Sequence, residues 1–89
     1  MDELILRTIV IQFDGRVVEV FGRNVEGRGH VAQIGEPKIG KADSRGQSEV
    51  TIRQLSRFGV GADELPKLLP LLDKITAAVR AAQGERQQG

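Results

Sequence analysis

One amphipathic stripe constrains this chain more than any other feature. In GADELPKLLPLLDKITAAVRAA, Leu65, Leu68, Leu69, Leu72, Ile75, Val79 and Ala82 recur mostly at spacings of three and four. That pattern predicts a helix from Ala62 to about Ala82 with one apolar face. Asp63 is placed to cap it, and Glu64 in the first turn would complement the helix dipole. Pro66 is tolerated in a first turn, where N–H groups lack internal partners. Pro70 would remove one ladder bond, which predicts a kink, or a separate first turn before a main helix from about Leu69. Gly84 is expected to end the helix, so that one domain spans 1–83 and 84–89 is a disordered tail.

Everything before the stripe reads as short strands and turns, so the helix is expected to lie over a small sheet. The chain has 89 residues, no Cys, no Trp or Tyr and only three Phe. A chain of this length holds one core, and with no thiols neither a disulfide nor a thiolate metal site can support it. No apolar run approaches the ~20 residues of a membrane span. The start, Met1-Asp2-Glu3, is acidic and Arg7 interrupts the apolar residues behind it, unlike a secretory signal. The expected location is therefore cytoplasmic. A formal charge of +1 supplies no whole-molecule field for nucleic acid or an acidic membrane.

Leu4–Phe13 (LILRTIVIQF) and Arg16–Gly22 (RVVEVFG) are rich in β-branched and aliphatic residues, with Asp14-Gly15 between them. That dipeptide is favoured in two-residue type I′ turns, and it predicts a hairpin in which Phe13 faces Arg16, Ile11 faces Val18 and Ile9 faces Val20. One face would carry Ile5, Ile9, Ile11, Val18 and Val20. The other would carry Leu6, Thr8, Val10 and Gln12 against Val17, Glu19 and Phe21. This second face is half apolar. Either a loop or the curling sheet covers it, or Leu6, Val10, Val17 and Phe21 form an interface with a subunit or partner.

The segment GRNVEGRGH then reads as a turn or bulged bend. HVAQI is expected to be a short strand with Val31 and Ile34 inward, and Lys38–Ala42 another with Ile39 inward. Asp43-Ser44-Arg45-Gly46 has loop chemistry. Val50 and Ile52, then Phe58 and Val60, alternate as the inward residues of two further strands.

Signs of catalysis fail on inspection. GEPKIGKA (35–42) comes within one residue of a phosphate-binding loop, but Ala42 replaces the required Ser or Thr and ADSRGQ is a turn where a helix is needed. The glycines of 22–29 do not fit a dinucleotide fingerprint. His30 is the only histidine, and no nucleophile stands beside it in sequence. Ser44, Ser48 and Ser56 have no activating partner, and Asp63 and Glu64 read as helix-start residues. The expectation is a non-enzyme without cofactor or metal. Between 16 and 57 there are eight Lys or Arg against five acids, spread over several loops. Arg16, Arg23, Arg28, Lys38, Lys41 and Arg45 are the candidates for weak anion binding, to phospholipid or nucleic acid. The lack of aromatic platforms argues against nucleic acid.

The order of FDGRVVEV, RGHVAQI, SEVTI and ELPKLLPLLDKITAAV, over about residues 4–82, resembles the bacterial pleckstrin-homology-like (PH-like) domains. The resemblance implies an α+β fold, a bent antiparallel sheet or open barrel of about five to seven short strands capped by one C-terminal helix. It also implies a binding scaffold, used for phosphoinositides, protein surfaces or self-association. Lipid-binding relatives hold the headgroup with basic residues on the first two strands and in a long loop between them. Here that loop is expected to be only Asp14-Gly15, with Arg16 beside it and Arg7 far down the strand. Protein binding or homo-oligomerisation is the function expected on this basis, with peripheral membrane contact the weaker alternative.

Overall fold

In the computed structural model, the backbone of residues 1–88 and the side chains of residues 1–84 are described. The fold is α+β. A four-stranded antiparallel sheet is built from β1 (Asp2–Leu6), β2 (Ile9–Phe13), β3 (Val17–Gly22) and β4 (Val25–His30), in that spatial order. A three-stranded sheet follows, from β5 (Lys38–Ile39), β6 (Gln47–Ile52) and β7 (Ser56–Gly61), and α1 (Leu65–Gln88) closes the chain. No strand ladder joins the two sheets, so the barrel is not closed.

The stretch expected to be one strand, 4–13, is a hairpin. Leu6 pairs with Ile9 across the turn Arg7-Thr8, and Arg7 holds φ at +49°. An L-residue enters that region at a cost. Arg7 is retained there by ion pairs from its guanidinium to Glu64 at 3.1 Å and Asp63 at 3.6 Å. This turn exchanges two neighbours between faces. A continuous strand would put Ile5 with Ile9; the hairpin puts Leu6 there instead, leaving Leu6 4% and Ile5 63% exposed.

The second hairpin forms, displaced by two residues. Phe13 pairs with Val18, Ile11 with Val20 and Ile9 with Gly22. The Asp14 carboxylate accepts the N–H groups of Arg16 (3.3 Å) and Val17 (2.8 Å), which puts Asp14 at the first position of the turn and Gly15, at φ +91°, at the second. Aspartate is favoured at that first position because its oxygens bond the backbone just ahead. A shift of two keeps every β2 and β3 side chain on its expected face.

The glycine-rich 25–30 is strand β4, not a bend, paired along its length with β3. Its glycines sit where backbone must approach closely: a Cβ on Gly27 would meet the Leu55 carbonyl oxygen at 2.5 Å, and one on Gly29 the Ile34 Cγ2 at 2.6 Å. The segment after it is a turn rather than a strand, with Gln33 and Ile34 N–H groups both bonded to the His30 carbonyl. Val31 and Ile34 are buried as expected, and their spacing of three suits that turn. Ile39 is 41% exposed, contrary to the inward placement. Asp43 organises its loop as expected, its Oδ1 accepting the N–H groups of Arg45 and Gln47.

In α1 the buried residues are Leu68, Leu71, Leu72, Ile75, Val79 and Ala82. Leu69 is 40% exposed and Leu71 takes its place. At about 100° per residue, Leu71 falls about 20° beyond Ala82 at one edge of the buried arc, whereas Leu69 falls about 60° beyond Leu72 at the other. The N-cap position also moves by one: the Glu64 carbonyl accepts the Lys67 and Leu68 N–H groups. The helix runs unbroken through Pro70, whose missing bond would go to the carbonyl of Pro66, and both prolines are exposed. It also continues through Gly84 to Gln88, and Gly89 lies outside the described residues.

These helix residues meet Leu6, Ile11, Phe13, Val18 and Val20 of the first sheet, Val50, Ile52, Phe58 and Val60 of the second, and Val31 and Ile34 in one core. No buried side-chain nitrogen or oxygen lacks a partner among the described residues.

Candidate functional site

The outer face of the four-stranded sheet is set by strand alternation. Along one row, Ile5 pairs with Val10, Val10 with Phe21 and Phe21 with Glu26. Ile5 is 63% and Phe21 37% exposed, with Val10 half-buried between them. The next row is polar. Glu3, Gln12, Glu19 and Arg28 follow one another across the strands, the Gln12 amide donating to Glu3 at 2.8 Å and Arg28 lying 3.7 Å from Glu19. Beyond that row Val17 pairs with His30.

Of the four residues expected to form an interface, Val10 and Phe21 are therefore direct cross-strand neighbours. Val17 shares their face but is separated from them by the polar row. Leu6 is in the core and leaves the set. Ile5 replaces it. Sequence reasoning missed Ile5 because its exposure depends on the turn at Arg7-Thr8; a hairpin counted with six paired with nine would have found it.

The six candidate cations are dispersed. Arg16 and Arg23 occupy the turns at opposite ends of β3, roughly 20 Å apart along a six-residue strand. Arg28 is spent on Glu19. Lys38 lies in β5, and Lys41 and Arg45 lie in the loop that leads to β6. Arg7, in the β1–β2 turn, is neutralised by Asp63 and Glu64. Its position corrects the expectation that it lies far down a strand.

No family model, curated protein or solved structure matches this chain.

Two other polar side chains, His30 and Asp14, shape the turns beside them. His30 is exposed, and its Nδ1 accepts the Ala32 N–H at 3.0 Å, which pins the turn after β4. The Asp14 carboxyl is held below its ordinary value by the Val17 and Arg16 N–H groups, with a smaller contribution from the Arg28 charge. Among the described residues no three His, Asp or Glu side chains gather as a metal site would require. Lys41 is followed by the Asp43 turn, so the 35–42 segment does not open a helix. Among the described residues no helix is long and apolar enough to cross a membrane.

Proposed function

We propose that this chain is a non-enzymatic interaction module on a PH-like scaffold, and that it engages a protein surface through the outer face of its four-stranded sheet. The observation that carries this reading is the exposed row Ile5–Val10–Phe21. Three apolar side chains in cross-strand contact on a water-facing surface are a local cost that a protein contact removes. The scaffold reading is supported by the order of elements, four strands, three strands and a final helix over the core. Headgroup recognition is disfavoured by the same geometry. The loop joining the first two strands is Arg7-Thr8, too short to embrace a phosphate cluster, and its cation already faces two carboxylates.

The version of this reading open to test with the chain alone is self-association. Sedimentation velocity across a series reaching tens of micromolar should show reversible association that Phe21→Glu abolishes. A strict monomer over that range, indifferent to the substitution, would rule out self-association and leave only a foreign protein as partner.

A further inference from the structure

A cleft of about 350 Å³ lies where the β2–β3 turn and the turn after β4 meet the second half of α1. It exists because small residues surround it. Gly15, Ala32, Ala78 and Ala81 line it, and the buried Ala82 forms part of its wall. Any larger side chain at these places would occupy the space. The polar groups at the cleft are Arg16 and His30.

Both are prepared as donors. The Arg16 backbone is fixed from two sides: its N–H goes to Asp14 Oδ1 at 3.3 Å and its carbonyl accepts the Val31 N–H at 2.7 Å. Its guanidinium makes no ion pair or side-chain hydrogen bond among the described residues; Arg23, Lys38, Lys41, Arg45, Arg53 and Lys67 share that state, but of these cations only Arg16 lines the cleft. The His30 Nδ1 lone pair is used by the Ala32 N–H, so the ring's remaining nitrogen, Nε2, carries the hydrogen. No carboxylate lines the cleft, and that of Asp14, two residues before Arg16, accepts N–H groups of its own turn. Two side-chain donors beside an alanine wall lack an acceptor, and the missing complement is an anion with an apolar body.

We propose that this cleft binds an organic monocarboxylate, its carboxylate on Arg16 and His30 Nε2 and its compact apolar group against Ala78, Ala81 and Ala82. The acid has two natural sources, a free small molecule or the C-terminal carboxylate of a peptide. This site is separate from the Ile5–Val10–Phe21 row, and either can fail without the other.

The test is a ¹H–¹⁵N titration of the full chain with hexanoate and, in parallel, with the neutral hexanamide. Hexanoate is expected to give saturable shifts at 15–16, 30–32 and 78–82, hexanamide none. Arg16→Gln and Ala81→Leu, the first removing the charge and the second filling the space, should each weaken binding at least tenfold while leaving peaks elsewhere in place. Adding a short peptide ending in Leu, with a free or an amidated C-terminus, separates the sources. Tighter binding of the free-ended peptide than of hexanoate assigns the site to a chain terminus, and the reverse order to a small acid. Absence of saturable shifts with either acid, equal response to hexanamide, or full binding by Arg16→Gln would overturn the proposal.

Discussion

The Arg7 guanidinium lies 3.1 Å from the Glu64 carboxylate and so ties the first turn of the sheet to the residue that starts the helix. Glu64 is the better shielded partner, its side chain 14% exposed against 70% for Arg7. The pair holds Arg7 in a backbone region that asparagine enters more readily than arginine. Arg7→Ala removes the pair and keeps the strain, so it should lose about 1 kcal/mol. Arg7→Asn removes the pair and relieves the strain, and should lose measurably less. Urea unfolding of the two variants checks the order; equal losses would show that the backbone conformation carries no cost.

A second prediction concerns Gly22, which sits at φ +148° with the Thr8 carbonyl oxygen where a Cβ would be. The Arg23 N–H donates to that same carbonyl at 3.2 Å, so the neighbouring turns are already locked together. Gly22→Ala should cost roughly 2–4 kcal/mol. Gly84→Ala should do the opposite. Nothing lies within 4 Å of the added methyl and the site is helical, so stability should rise by about 0.5–1 kcal/mol. Thermal melts of the two variants should move in opposite directions.

The helix face gives a third. Leu72 is 4% exposed and Leu69 is 40% exposed. Leu72→Asp should unfold the chain, because it buries an unpaired charge, and Leu72→Ala should cost about 2–5 kcal/mol. Leu69→Asp should fold. Circular dichroism decides: a folded Leu72→Asp protein would mean that the helix does not cover the sheets as described.

Much of this architecture was legible in the residues, and the failures share a cause. Alternation found Val50, Ile52, Phe58 and Val60, and helical spacing found Leu68, Leu72, Ile75, Val79 and Ala82, since each pattern is local. The turn at Arg7-Thr8 carries no turn residue in sequence; an ion pair to Glu64, 57 positions on, accompanies it. β4 was hidden by Gly27 and Gly29, which read as breakers and instead admit Leu55 and Ile34 to the strand surface. The candidate interface inherited the first of these errors through Leu6. The Arg16–His30 cleft was hidden because it is made of alanines, whose contribution is the volume they leave.

The Asp14 turn supplies a prediction in pH. Its carboxyl is lowered from 3.8 by N–H groups that exist as a set only in the folded turn, those of Val17 and then Arg16. A lowered folded value means that the stabilisation is fully present above the unfolded value and disappears as pH falls through the folded one. Asp14→Asn should therefore narrow the stability difference between neutral pH and pH below 3.8, and leave the slope of stability with pH on the alkaline side unchanged. Carbon-detected titration of the Asp14 carboxyl should place its midpoint below that of a free aspartate; a midpoint at or above it would mean that the turn does not form in solution.

Every strand ladder joins neighbours in the chain, so both sheets are assembled from short-range contacts. Among the described residues, the ion pairs between positions distant in sequence all end on the helix or the turn that opens it: Asp2 to Lys74, Arg7 to Asp63 and Glu64, Glu36 to Arg80. The two sheets touch where β4 meets β7 and Leu55 lies on Gly27, and Leu68 to Ala82 complete the core that they share. The helix is thus a clasp on both sheets: a substitution that loosens it uncovers at once the inward residues of one, Ile11, Val18 and Val20, and of the other, Val50, Ile52 and Val60.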